Sequence, residues 1–264
     1  FMTDRKNRNA AALIWNCWQN GTVMDNLPEN LRPATRAEGY AIQAQITALS
    51  DASIFGWKIA ATSTAGQGHI GVSGPLAGRL LEDRVFKPGQ ILTFGANRMA
   101  VAEPEFAFRM GSQFEPRTKP YSQAEVMDAV ETLHTAIEVP DSRFANFAQV
   151  GEAVLIADNA CAHEFVIGPP MPEDWRNTDL VAHPVEISVI GGATHFGIGE
   201  NVLEDPRVAL SWLVNELRQN GITLERGMTV TTGTCATPIP IQAGDKVRAD
   251  YGSLGSLEIT FASP

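Results

Sequence analysis

Apolar residues in the first fifty positions recur at the spacing of an amphipathic helix. Residues 9–18 place them on one face, and Thr35 with Glu38 three positions later forms a capping box that begins a second helix. From Ile54 the pattern changes to short β-branched or aromatic runs separated by glycine, which predicts strands. The predicted strands are residues 54–59, 91–94, 99–108, 185–190, 228–231, 246–251 and 257–261.

Two further helices interrupt the predicted strands. Ser122 with Glu125 forms another capping box, and Asp205 before Pro206 supplies an N-cap followed by a first-turn proline. Between the first predicted strand and the next, the glycine-containing residues 62–68 are expected to form a flexible loop.

The order of these elements predicts the architecture. Because helices and strands do not alternate regularly, the order favours an α+β fold with a mixed, rolled sheet. We expect a helical region over residues 1–52 and a mixed-β domain over residues 53–264 that carries the chemistry. Phe1, which precedes Met2, is interpreted as a cloning remnant and takes no part in this prediction.

Composition and charge narrow the class of protein. With 264 residues, of which 44% are hydrophobic and 19% charged, the chain can bury a substantial core. The net charge of −10, without a lysine- or arginine-rich stripe, argues against nucleic-acid binding. Apolar runs such as residues 153–157 fall short of the ~20 residues that span a bilayer, so we predict a cytoplasmic protein. Three cysteines without a C-x-x-C pair predict neither a disulfide framework nor a zinc site.

Acidic residues inside apolar runs are the strongest chemical signal. Glu103 and Glu105 lie two apart in a predicted strand, so both side chains belong to one face. Glu138 lies among apolar, strand-like residues, where an unpaired buried carboxylate is costly. These carboxylates either face water or are neutralised by a cation. Three glutamates without a histidine or cysteine at ligand spacing suit Mg²⁺ or Mn²⁺, with coordination positions left for a substrate.

Lys58 and a late turn could serve such a site. Lys58 lies in a short apolar run, so it is either a surface side chain or a buried one whose lowered pKa lets it move a proton beside a metal. Residues 231–235 form a turn whose hydroxyl and N–H groups could hold a carboxylate. The histidines are scattered and support no Ser-His-Asp hydrolase.

Several short motifs occur in an order that is similar to a known family. They are Ala41-Ile42-Gln43, Gly56-Trp57-Lys58-Ile59, residues 70–78, 103–108 and 137–143, Ala157-Asp158-Asn159-Ala160, Gly233-Thr234 and Gly244-Asp245. In this combination the chain resembles the fumarylacetoacetate hydrolase superfamily over nearly its whole length. Within that superfamily it is similar to the branch of 2-hydroxypenta-2,4-dienoate (2-oxopent-4-enoate) hydratases and 4-oxalocrotonate decarboxylases.

The resemblance implies a fold and a site. The fold would be a roll or sandwich of mixed β-sheet with a small N-terminal helical region, in chains that assemble as homo-oligomers. The site would bind Mg²⁺ or Mn²⁺ through Glu103, Glu105 and Glu138, with Lys58 as the catalytic lysine and a small 2-oxo acid as substrate. The positions implied for substrate binding are Thr234, Gly233, Arg143 and Asp158. A purely structural Arg–Asp pair would explain the last two equally well.

The implied activity is hydration of a 2-hydroxy-2,4-dienoate (2-oxo-4-enoate) to a 4-hydroxy-2-oxo acid in aromatic meta-cleavage catabolism. One position departs from the hydratases, because Leu76 stands where they carry an acidic residue. Leucine cannot move a proton, so decarboxylation of a 2-oxo-3-enedioate of the 4-oxalocrotonate type stays open. C–C hydrolysis of a fumarylpyruvate-like substrate also stays open, as does the role of a non-catalytic subunit that associates with a partner lyase.

Overall fold

The computed structural model describes residues 2–264, so the interpretation of Phe1 lies outside the described residues. The helices are α1 (Met2–Asn20), α2 (Arg36–Leu49), α3 (Thr64–Ile70), α4 (Gln123–Asp128), α5 (Glu152–Ala157) and α6 (Pro206–Gln219). The strands are β1 (Ile54–Ala60), β2 (Leu76–Leu81), β3 (Val85–Phe86), β4 (Ile91–Leu92), β5 (Val101–Met110), β6 (Val130–Val139), β7 (Glu164–Ile167), β8 (Pro184–Val189), β9 (Thr194–Ile198), β10 (Thr229–Thr234), β11 (Ile239–Pro240), β12 (Lys246–Asp250) and β13 (Ser256–Phe261).

The strands form two mixed sheets. An eight-stranded sheet has the order β2-β1-β10-β5-β6-β7-β3, with β11 paired to β5, and a five-stranded sheet has the order β4-β13-β12-β8-β9. The pairs β1/β10, β3/β7 and β4/β13 are parallel, and the other pairs are antiparallel. The predicted α+β fold with a mixed sheet is confirmed.

The helix starts follow the predicted capping signals. The side chain of Thr35 accepts a hydrogen bond from the backbone N–H of Glu38 at the start of α2. Ser122 and Glu125 form a reciprocal capping box at α4. Asp205 caps α6, whose first residue is Pro206. Short polar side chains therefore satisfy backbone donors that a helix leaves unpaired at its start.

The prediction of a flexible loop over residues 62–68 is wrong. The segment contains α3, because the hydroxyl of Ser63 accepts a hydrogen bond from the N–H of Gly66 at 3.0 Å. Gly71 ends the helix with a left-handed φ of +66°. Two strands also differ from their predicted bounds. The strand expected at 99–108 begins at Val101, after Ala100 with a φ of +51°, and the strand expected at 91–94 covers only Ile91–Leu92.

The first two helices bury their apolar faces in a second hydrophobic core. Ile14 of α1 and Ile42 of α2 pack there with Phe144 and Val154 from later segments. Because this core draws on both parts of the chain, the division into residues 1–52 and 53–264 stays a prediction. Among residues 2–264, no helix is long and apolar enough to cross a membrane.

A buried ion pair fixes the segment that follows β6. The guanidinium of Arg143 donates to Asp158 Oδ1 at 2.6 Å and to the carbonyl oxygen of Ala162 at 2.8 Å. The other carboxylate oxygen of Asp158 accepts from the hydroxyl of Ser142 at 2.7 Å. The guanidinium also lies over the ring of Trp18, which joins α1 to this cluster. These contacts are those of a structural Arg–Asp pair, and substrate binding by these two residues stays a prediction.

We predict that Asp158→Asn lowers the free energy of unfolding by about 3–5 kcal/mol, because it leaves the buried charge of Arg143 without its partner. Urea unfolding followed by circular dichroism measures the loss. The control is Glu131→Gln, which breaks an ion pair to Arg109 whose side chains are 49% and 51% exposed and should cost less than about 1 kcal/mol. Equal losses in the two variants would contradict the structural role.

Candidate metal centre

Two adjacent strands bring the three predicted carboxylates together. In the antiparallel pair β5/β6, Glu103 lies directly opposite Glu138, and Glu105 lies opposite Ala136. The twofold period of a strand places Glu103 and Glu105 on the same face. One carboxylate oxygen from each glutamate lies within 4.8 Å of the other two. Glu105 and Glu138 are fully buried and Glu103 is half-buried, so these carboxylates do not simply face water.

A bulge in the neighbouring strand holds Glu105. The register of β10 against β5 shifts between Thr231 and Thr234. At this bulge the hydroxyl of Thr231 and the N–H of Gly233 donate to Glu105 Oε1 at 2.7 and 2.8 Å. Gly233 has a φ of +117°, and a Cβ there would lie 2.4 Å from Thr62 Oγ1. The position therefore requires glycine, and its N–H serves the carboxylate.

Tyr251, just after β12, supports the same carboxylate from the second sheet. Its hydroxyl oxygen accepts a hydrogen bond from the N–H of Glu105 at 2.9 Å and donates to the carbonyl oxygen of Ala136. The ring is fully buried. Because one hydroxyl contacts β5 and β6 together, it fixes the two strands relative to each other at the level of the carboxylates. No pattern in the sequence indicates this contact.

Lys58 lies beside the carboxylates on β1. Its Nζ is 2.8 Å from Glu138 Oε1 and donates to the carbonyl oxygen of Ala160 at 2.7 Å. The residue is 3% exposed, so it is not a surface side chain. A lowered pKa of Lys58 beside a bound metal ion stays a prediction. Burial lowers the pKa of Lys58, but the charges of Glu138 and Glu103 outweigh that effect and raise it.

The charge balance of this cluster fits a divalent cation. Three carboxylates and one ammonium give three negative charges against one positive, a formal balance of −2. Glu105 Oε2 and Glu138 Oε2 are buried and accept no hydrogen bond within residues 2–264. Burial raises the pKa of all three carboxyl groups, although Lys58 opposes the shift. Unpaired buried carboxylate oxygens are the ligands that a hard cation such as Mg²⁺ binds.

A cavity of about 750 Å³ opens beside the carboxylates. Lys58, Glu103 and Thr234 line it. The cavity wall therefore contains the predicted catalytic lysine, one predicted metal ligand and one predicted substrate-binding residue. As the structure describes residues 2–264, Arg143, Asp158 and Gly233 do not line this cavity. The role of Thr234 in substrate binding stays a prediction.

The cavity wall contains residues that no sequence motif indicated. His69, in α3, and Arg98, before β5, both line it. Leu76, where the family resemblance led us to expect an acidic residue, is buried in the main core and is not among the lining residues that the structure describes. Arg98 lies only five positions before Glu103, so its nearness to the glutamates could have been inferred from the sequence. The position of His69 depends on α3, a segment that was expected to be a loop.

The fold and the site together define a protein with a curled mixed sheet and a cluster of three glutamates beside a cavity. The family described as fumarylacetoacetate (FAA) hydrolase C-terminal matches residues 47–262. The chain therefore belongs to the fumarylacetoacetate hydrolase family, as its motifs predicted.

Similar proteins include both activities that the resemblance implied. 2-Keto-4-pentenoate hydratase 1 from Dechloromonas aromatica is 29% identical over 96% of this chain and 96% of its own length. A 4-oxalocrotonate decarboxylase from a Pseudomonas species is 30% identical over 78% of this chain and 77% of its own length. The solved structure of 4-oxalocrotonate decarboxylase from Pseudomonas putida G7, complexed with magnesium and adipate, superposes with a TM-score of 0.88 at 24% identity and covers 97% of each chain. This superposition confirms the fold.

We predict that Glu105→Gln weakens Mg²⁺ and Mn²⁺ binding by at least roughly 100-fold. The substitution removes a charged group that would coordinate the ion directly, and loss of a residue that only hydrogen-bonds to a metal ligand already costs roughly 10–100-fold in metal affinity. Isothermal titration calorimetry on chelator-stripped protein measures it. The control is Glu164→Gln, which changes a buried glutamate of β7 outside the triad and should leave the affinity within twofold. Unchanged metal affinity in Glu105→Gln would contradict the assignment of Glu105 as a metal ligand.

We also predict that Gly233→Ala weakens metal binding roughly tenfold or more, because the new Cβ collides with Thr62 and turns the N–H away from Glu105. Gly255→Ala is the matched control. It also has a positive φ, of +91°, but a Cβ there meets nothing within 4 Å. We expect Gly255→Ala to lower stability only and to bind metal normally. Equal metal affinity in both variants would contradict the role of the bulge.

Proposed function

We propose that this protein is a metal-dependent hydratase that adds water to a 2-hydroxy-2,4-dienoate and releases a 4-hydroxy-2-oxo acid. The observation that carries the proposal is the buried cluster of Glu103, Glu105, Glu138 and Lys58 beside one cavity. The relatives named 2-keto-4-pentenoate hydratase, which match across nearly the full chain, support this activity over others of the family. The cellular setting would be the meta-cleavage catabolism of aromatic compounds.

The three glutamates would hold the cation. When bound, a divalent cation supplies electrostatic stabilisation for negative charge on the carboxylate and 2-oxygen of a 2-oxo acid. Mg²⁺ is our first choice because the similar decarboxylase structure is complexed with magnesium. Mn²⁺ is supported only by the same set of carboxylate oxygens.

Lys58 is the proton-carrying side chain at the cavity. Its ammonium has three donors, of which one goes to Ala160 and one lies beside Glu138, so one remains for substrate. The reaction moves the enol proton onto carbon and adds one water, so water is the only net reactant consumed besides the dienoate. Lys58 can lend a proton to a substrate carbon and recover one from the enol hydroxyl. Glu138, at 2.8 Å, keeps the lysine charged for that role.

The rest of the wall orients the substrate and limits water. Ile59, Met99, Val101 and Phe147 give the cavity a largely apolar lining, which suits the carbon chain of a dienoate. Thr234, the register partner of Glu105, also lines the cavity, and its hydroxyl donates to the carbonyl oxygen of Ala236, which leaves the hydroxyl oxygen free to accept a hydrogen bond from substrate. We therefore assign Thr234 to substrate orientation.

A second candidate activity is decarboxylation of a 2-oxo-enedioate. Arg98 lines the cavity, and within residues 2–264 its guanidinium has no carboxylate partner in an ion pair. Its backbone is fixed, because the N–H donates to Asp141 Oδ1 at 3.0 Å. A free guanidinium could receive the second carboxylate of a dioate. The similar 4-oxalocrotonate decarboxylase supports this candidate.

Nothing comparable favours C–C hydrolysis. His69 is the histidine on the cavity wall, and its ring packs edge-on against Phe147. Among residues 2–264 no carboxylate forms an ion pair with His69 that could activate a water. Homo-oligomerisation and association with a partner lyase remain part of the proposal and can be tested by sedimentation and co-purification.

The proposal predicts that the protein with Mg²⁺ removes the ultraviolet absorbance of 2-hydroxypenta-2,4-dienoate and yields a product heavier by one water. Lys58→Met should lower kcat by at least roughly 100-fold, the low end of what a positioned proton donor contributes. Lys119→Met, which changes an exposed lysine, is the control and should keep full activity. Release of CO₂ from 2-hydroxymuconate, with no turnover of the dienoate, would replace the hydratase with the decarboxylase. Turnover of neither compound would overturn both activities.

A further inference from the structure

Three consecutive residues beside Lys58 have a left-handed backbone. Asn159, Ala160 and Cys161 have φ values of +57°, +50° and +60°. For residues that carry a Cβ this conformation is unfavourable, and a run of three is unusual. Such a run persists only where the surrounding contacts hold it, and it tends to occur at functional sites. The segment follows α5 directly, and Cys161 lines the cavity.

The side chain of Asn159 holds this left-handed turn against β2. Its Oδ1 accepts a hydrogen bond from the N–H of Arg79 at 2.7 Å, and its Nδ2 donates to the carbonyl oxygen of Arg79 at 2.9 Å. Asn159 is 2% exposed, so water does not compete for these bonds. One amide thus pairs with both backbone groups of a single strand residue. Asparagine is also among the residues that best accept a left-handed backbone.

The clamped turn places an acceptor on Lys58. The carbonyl oxygen of Ala160 accepts the hydrogen bond from Lys58 Nζ at 2.7 Å. Lys58 lies on β1 opposite Gly78 of β2, one position before the clamped Arg79. A Cβ on Gly78 would lie 2.3 Å from the carbonyl oxygen of Asn159 and 3.1 Å from Lys58 Cδ. The turn, the strand and the lysine stem therefore pack without space for the lysine to shift.

We infer that Asn159 is a positioning residue for Lys58: its side-chain amide holds the left-handed turn that aims the Ala160 carbonyl oxygen at Nζ. With one donor fixed on Ala160 and another beside Glu138, the remaining donor of the ammonium has a defined direction. The importance of that direction for turnover rests on the proposed function. The position of Nζ itself does not.

The test variant is Asn159→Gly. Glycine accepts a positive φ without strain, so this change removes the two clamp bonds and leaves the turn conformation accessible. The matched control is Gln43→Ala. Gln43 is another buried amide, which donates to the carbonyl oxygens of Ala77 and Ile156 at 2.9 and 3.0 Å and does not contact Lys58. It reports the effect of losing two buried hydrogen bonds, one to β2 and one to α5.

The first measurement needs neither metal nor substrate. The chain has five lysines, so reductive methylation with peptide mass spectrometry gives the rate at Lys58 relative to the other four, Lys6, Lys87, Lys119 and Lys246. We expect Asn159→Gly to raise the relative rate at Lys58 at least tenfold, because Nζ loses its fixed acceptor, and Gln43→Ala to change it less than twofold. A change below twofold in Asn159→Gly, or an equal rise in both variants, would overturn the inference.

The second measurement is kinetic and separates positioning from general destabilisation. We expect Asn159→Gly to lower kcat at least tenfold with KM and Mg²⁺ affinity within about twofold, as loss of a transition-state interaction requires. In the Lys58→Met background, Asn159→Gly should cost no further activity, because the two residues act as one unit. Additive losses would overturn the inference. If the wild-type protein turns over no dienoate, the proposed function fails, and the methylation rates still decide the position of Nζ.

Discussion

The burial of three carboxylates around a single ammonium is the constraint on which the rest of the structure depends. Glu103, Glu105 and Glu138 approach one another on one face of the large sheet, and within residues 2–264 Lys58 is the one cation in an ion pair with them. Isolated buried charges are unstable, so such a cluster must bind a cation or take up protons. In the proposed function a divalent cation would balance the remaining two negative charges, with the unpaired carboxylate oxygens as its ligands.

The surrounding backbone is arranged to hold these side chains rather than to extend regular structure. The bulge of β10 turns the Gly233 N–H onto Glu105, and Tyr251 ties β5 and β6 together from the second sheet. On the opposite side, the left-handed turn after α5 gives Lys58 its acceptor. The bulge gives up regular strand pairing and the turn gives up a favourable φ, each for the placement of one polar atom, which is characteristic of functional sites.

The local signals in the sequence predict much of this arrangement. The spacing of Glu103 and Glu105 determines their shared face, and the apolar surroundings of Glu138 indicate burial, because both depend on strand geometry alone. The register that sets Glu103 against Glu138, and the bonds from Gly233 and Tyr251, arise from segments far apart in the chain. Capping signals predict three helices. In α3, Ser63 is also a helix cap, but the glycines that follow it give the segment the pattern of a loop.

Arg143 and Asp158 illustrate the same limit for the site. Family motifs placed them near the substrate, but each satisfies the other's buried charge, a pairing that sequence patterns alone leave open.

The most direct test of the central claim is a crystal structure with Mn²⁺, using anomalous scattering to locate the ion. We expect a single strong peak bonded to Glu103, Glu105 and Glu138. A peak elsewhere, or three carboxyl groups hydrogen-bonded to one another with no ion between them, would contradict it.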